Sequence, residues 1–129
     1  MTTQEQVYDV LIAGRGAAAY AAALYAARYQ VRPILFGALF GGETATGGLI
    51  ENYPGQPEID GFDLMMKFRE QAEKYDVPAV DEDLVSVTRR GDCLEATTDA
   101  GNKYSGASLI LGIGRERRKL GLEHEVEWV

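Results

Sequence analysis

The chain has 129 residues and a formal net charge of −7 with a sequence pI near 4.7, which supports one core of ordinary size and disfavours a nucleic-acid surface. A single cysteine, Cys93, leaves no internal disulfide, no CxxC pair and no cysteine-based metal site. No stretch approaches the apolar length of a membrane span, and the polar amino terminus lacks the basic and apolar regions of a secretory leader, so the expectation is one soluble, cytoplasmic domain over residues 1–129.

Residues 7–13, "VYDVLIA", form an apolar, β-rich run without alternation, as in a strand buried on both faces of a parallel sheet. From Ala17 to about Tyr29 neither Gly nor Pro interrupts a run of Ala and Leu, which predicts a helix with small side chains able to lie close to a sheet. "VRPILF" at 31–36 predicts a second strand, with Pro33 tolerated near its start. Residues 37–61 are crowded with Gly, Thr and Pro and fit no regular element. Leu39, Phe40, Leu49, Ile50 and Tyr53 within them favour an ordered, functional loop. Asp60 is placed to cap an amphipathic helix over 62–75, in which Phe62, Met65, Met66, Phe68 and Ala72 share a face. "VPAV" at 77–80 reads as a brief third strand. "LVSVTRR", "CLEATTD" and "KYSGA", split by Gly91-Asp92 and Gly101-Asn102, read as a small antiparallel meander. "SLILGIG" at 108–114 returns to the buried-strand style. The basic run "RERRK" at 115–119 is expected to be a solvated hinge, His124 a solvated tail residue and Cys93 a small, partly buried apolar residue; Trp128 could dock on the core.

The stretch after the first strand fits Gly14-x-Gly16-x-x-Ala19. The first glycine permits the tight turn, the second lets backbone approach a pyrophosphate, and a small third residue lets helix meet strand. An alanine-rich scaffold helix would carry similar residues, but the strand before and the helix after favour phosphate binding at the helix start. The acidic residue that usually ends the second strand and holds a ribose is absent, because Leu35 and Phe36 are followed by Gly37. Glu43 lies nearby, as a solvated loop carboxylate or as a ligand contact.

In the same order along the chain, "YDVLIAGRGAAAYAAALYAAR", "GGETATGGLIENYPG", "FREQAEKYDV", "GDCLEATT" and "LILGIGRERRKLGL" resemble the corresponding segments of low-molecular-weight thioredoxin reductases. The resemblance implies an FAD-binding domain of a flavoprotein with two dinucleotide-binding domains: a three-layer, Rossmann-like α/β fold with a mostly parallel sheet, helices on one face and a small antiparallel meander on the other. It implies that the loop ending in "ENYPG" wraps the flavin. It places Gly14, Arg15, Gly16, Ala17 and Ala18 at the pyrophosphate, and Gly41, Gly42 and Glu43 where the family usually has Gly-Gly-Gln. Thr46 and Asn52 would sit near the ribityl chain and isoalloxazine, Val85 would offer backbone groups to adenine, and Gly112, Ile113 and Gly114 would line the pocket. Ala17 and Ala19 replace Pro and Gly of the family's usual turn, the second crowding helix against strand; Gly47-Gly48 replaces a pair that is often Thr-Thr, and Ile113 replaces a Thr. The family continues into an NADPH-binding domain with a redox-active CxxC and a returning carboxy-terminal FAD segment, so these residues are expected to bind FAD without being catalytically complete. The expected partner is the missing carboxy-terminal portion or a second copy in a homodimer. The alternative is a non-catalytic nucleotide-binding or self-associating Rossmann-like module.

Overall fold

The computed structural model describes residues 7–116 and 118–121. His124 and Trp128, and with them the expected solvated tail and docked tryptophan, lie outside the described residues. In chain order the elements are β1 (Val7–Ala13), α1 (Ala17–Arg28), β2 (Pro33–Phe36), α2 (Gly42–Thr46), β3 (Leu49–Ile50), β4 (Ile59–Asp60), α3 (Gly61–Glu73), β5 (Ala79–Val80), β6 (Leu84–Arg90), β7 (Cys93–Thr98) and β8 (Lys103–Leu111). The main sheet runs β5-β2-β1-β8-β7-β6 and a separate pair joins β3 to β4. β5, β2, β1 and β8 are parallel, whereas β8, β7 and β6 are antiparallel.

β1 is hydrogen-bonded on both edges, to β2 and β8, and covered on both faces, by the helices on one and the meander on the other, which is why its sequence does not alternate. Val10 and Ile12 point to one face with Leu35, where they meet Ala19, Tyr20 and Ala23 of α1 and Met65 and Ala72 of α3. Leu11 points to the other with Ile34 and Phe36, where it meets Ala96 of β7, with Leu84 of β6 and Tyr104 of β8 packed around it. The three layers are therefore helices, parallel sheet and meander, as expected. Burial of the fully enclosed Leu11, Ile12, Ile34, Leu35 and Phe36 contributes about 1.5–3 kcal/mol each. α3 begins where Asp60 caps it, the side chain accepting the Phe62 N–H at 2.9 Å, and Pro33 occupies the first position of β2.

One boundary differs from the sequence expectation. "KYSGA" and "SLILGIG" are not two strands, since β8 is continuous through Gly106; residues 103–106 pair with β7 and the stretch from Ser105 to Leu111 with β1. Gly106 marks a close approach and no turn, because a Cβ there would stand 2.5 Å from Leu11 Cγ. The meander thereby folds over the second face of the sheet while remaining hydrogen-bonded to it. The 37–61 segment also holds short regular pieces, α2 and the β3–β4 pair, and its "ENYPG" turn rests on α3 through Tyr53 against Phe68 and a 2.9 Å hydrogen bond from Lys67 Nζ to Gln56 Oε1.

Two outcomes follow from this packing. Gly106→Ala forces Leu11 aside and is expected to lower stability by about 2 kcal/mol in urea unfolding. Tyr104 packs edge-on against Phe36 with ring centroids 4.8 Å apart, and burial, reinforced by the charge of Glu82, pushes its phenol above the ordinary value. A raised folded value means that this contribution is complete below the unfolded tyrosine value of about 10 and is lost as pH rises through the folded one. Tyr104→Phe should therefore flatten the alkaline decline in stability measured by urea unfolding between about pH 9 and 11.

Candidate functional site

The carboxyl ends of β1, β2 and β8 converge on the turn at 13–16. Gly14 N–H donates to Phe36 O and Gly112 N–H to Ala13 O, both at 2.7 Å, so the turn is held from both sides. Gly14 has φ of 122°, and a Cβ there would lie 2.1 Å from Gly112 O, so only glycine fits. Gly16 is different: a Cβ built on it meets nothing nearer than Gly41 O at 4.0 Å. The space beside Gly16 is open. α1 begins there without a side-chain cap, so its first N–H groups and the positive end of its dipole are available at the opening.

This opening belongs to a cleft of about 820 Å³. That is the size range of small-molecule and cofactor pockets. It lies beyond the carboxyl ends of the parallel strands, where α/β sheets place their ligands. Gly14, Arg15, Gly16, Ala17 and Ala18 line it, as do Gly41, Gly42 and Glu43, and Gly112, Ile113 and Gly114. Thr46, Asn52 and Val85 are not among the lining residues. Thr46 Oγ1 donates to Glu43 O within α2, and Asn52 and Val85 are exposed. Val85 falls at a register shift between Leu84 and Ser86, which leaves it without a ladder partner on β7. Leu39, Thr44, Asp83, Leu84, Arg115 and Glu116 line the cleft as well, although the sequence did not single them out for it.

Ala19 is fully buried and closes on the end of β8, where a Cβ on Gly112 would come within 3.3 Å of the Ala19 Cβ. The small residue needed for close helix packing is supplied partly from the strand. Glu43 is paired with Arg115, Nε to Oε2 at 3.1 Å.

Arg15 behaves unlike the rest of its turn. Its residue is 8% exposed, its guanidinium donates to Gly37 O at 3.2 Å and pairs with Asp81, and it lies 5.8 Å from the Phe40 ring centroid. The stem fills the space beyond β2, because a Cβ on Gly37 would meet Arg15 Cγ at 3.0 Å. Arg15 thus ties the first turn to the ends of β2 and β5. Arg15→Met keeps much of the stem and removes the head, and should cost about 2 kcal/mol in urea unfolding through the lost charged donor to a buried carbonyl.

No family model matches the chain. It is 39% identical over 128 residues to the bifunctional thioredoxin reductase/thioredoxin of Mycobacterium leprae, covering 98% of this chain and 28% of that one. It is 40% identical over 125 residues to the thioredoxin reductase of Streptomyces clavuligerus, covering 92% of this chain and 38% of that one. The solved thioredoxin reductase of Lactococcus lactis superposes with a TM-score of 0.86 at 33% identity, over 94% of this chain and 40% of that chain. The chain therefore spans well under half the length of the relatives it matches. Over nearly all its residues the chain is similar to thioredoxin reductases, matching one domain-sized part of their length.

Proposed function

We propose that these residues form the FAD-binding portion of a thioredoxin-reductase-like pyridine nucleotide-disulfide oxidoreductase. The observation that carries the reading is the open space at Gly16, where an uncapped helix start borders a cofactor-sized cleft at the carboxyl ends of β1, β2 and β8. Free N–H groups and the helix dipole there suit a pyrophosphate. Ala17 and Ala18 would contribute backbone donors, while Gly41, Gly42 and Glu43 on one side and Gly112, Ile113 and Gly114 on the other would wall the nucleotide. Val85, which has no ladder partner on β7, would offer backbone groups to adenine, and Thr46 and Asn52 would sit near the ribityl chain and isoalloxazine. Bound FAD would supply the hydride and electron transfer, and the chain would hold it, orient it and shield it from water. The residues contain one cysteine, so the dithiol of such a reductase lies outside them.

A second reading rests on a separate observation. On β8, residues 108–111 pair with β1 on one edge, while among the described residues no strand pairs with them on the other, and Ile110 and Leu111 are 40% and 67% exposed. An open apolar strand edge favours association with another chain, either the carboxy-terminal portion of the family or a second copy. Light scattering of the 129-residue protein should then show a dimer. A strict monomer would remove the second-copy arm.

Two measurements test the leading reading. FAD titrated into the protein should bind with a change in flavin fluorescence. Gly16→Val should weaken that binding at least about tenfold while leaving the melting temperature nearly unchanged, since the added atoms project into the cleft and not into the core. Unchanged affinity would contradict the cradle. The 129-residue protein should also reduce small disulfides with NADPH no faster than free flavin does. Activity that disappears in Cys93→Ser would overturn that expectation.

A further inference from the structure

In a doubly wound fold, the ribose of a nucleotide held at the first strand-helix turn lies at the end of the second strand, where an acidic side chain accepts its hydroxyls. That place is closed to a side chain here, because the stem of Arg15 fills the space a residue-37 Cβ would take. A carboxylate nevertheless reaches it from another direction. Asp83, just before β6, accepts the Ala38 N–H through Oδ1 at 2.9 Å, two residues past the end of β2, and it lines the cleft. Its own backbone is fixed too, its carbonyl accepting the Asp99 N–H at 2.9 Å.

The neighbouring acids are already engaged. Asp81 is paired with Arg15, Glu82 accepts both bonds from the Asn102 amide, and Glu43 is paired with Arg115. Glu116 lines the cleft from the segment that follows β8, remote in sequence from the end of β2. Asp83 alone combines a position at the end of β2 with an oxygen, Oδ2, that has no partner among the described residues.

We infer that Asp83 is the ribose-binding carboxylate of this site, supplied by the β5–β6 connection in place of the second strand. The inference rests on nucleotide binding at the Gly14 to Ala18 turn. Arg15 acts as a positioning residue: by pairing with Asp81 it holds the connection against the end of β2 and keeps Oδ2 of Asp83 available to a hydroxyl.

The test compares ADP, 2′-deoxy-ADP and 3′-deoxy-ADP by calorimetry, for the unmodified protein and for Asp83→Asn. In Asp83→Asn the amide oxygen can still accept from Ala38, so the loop is kept, while the group toward the ribose becomes a donor and can no longer accept. The unmodified protein should prefer ADP over at least one deoxy analogue by about tenfold, the scale of a hydrogen bond to a charged group. Asp83→Asn should weaken ADP to the level of that analogue and leave the analogue's affinity unchanged. Equal binding of all three nucleotides by the unmodified protein overturns the inference without any variant, and so does a preference that survives in Asp83→Asn. Absence of ADP binding overturns it as well. FAD titration of the same sample then separates the two ideas, since FAD bound without ribose discrimination leaves the flavin reading standing and removes only the role of Asp83.

Discussion

The contact on which the rest of the molecule depends is that between Gly14 and the end of β8. Two hydrogen bonds of 2.7 Å, Gly14 to Phe36 and Gly112 to Ala13, extend the ladders of the central strand beyond its last residue and lock three strand ends together. With the Gly112 carbonyl filling the space where a Cβ on Gly14 would stand, the turn has one conformation available. That conformation starts α1 over the sheet, brings Ala19 against the strand, and leaves the open space at Gly16 facing the cleft. The same few atoms thus set both the packing of the helical layer and the entrance to the site.

Around that point the two faces of the sheet are divided by strand parity. Odd and even residues of β1 and β2 go to different layers, so one face builds a helical core and the other a core shared with the meander. The single strand β8 serves both layers, antiparallel to β7 up to Gly106 and parallel to β1 from Ser105 onward. Gly106 lets Leu11 stand under the crossing. The cleft is formed where helices, sheet ends and the β5–β6 connection meet, and the ion pair of Arg15 with Asp81 and that of Glu43 with Arg115 each join segments distant in sequence beside it.

Much of this was legible in the sequence because it rests on local rules. The unalternating run at 7–13, the glycine spacing at 14–16, the Asp60 cap and the turn pairs Gly91-Asp92 and Gly101-Asn102 each have a short-range cause, and each appears where those causes put it. What was not legible rests on long-range contacts. Gly106 looks like a break but is a packing requirement set by Leu11, about ninety-five residues away in the chain, and no local pattern distinguishes the two. Arg15 looks like a phosphate-facing residue of a cradle, yet most of its surface is buried against Gly37, Phe40 and Asp81, which the spacing of the motif does not encode. Asp83 and Leu84 line the cleft while Val85 beside them is exposed, because the bulge at the start of β6 decides which residue faces inward. The run of acids at 81–83 was the available signal, and only the tertiary partners of Asp81 and Glu82 single out the third.

The central claim is that three strand ends locked at Gly14 make a dinucleotide site. Amide hydrogen exchange of the protein with and without FAD tests it most directly. The account predicts added protection concentrated at 14–18, 38–43 and 112–114, with little change in the β6–β7 turn or on the outer face of α3. Protection absent from the 14–18 turn in FAD-saturated protein, or confined to the meander, would contradict it.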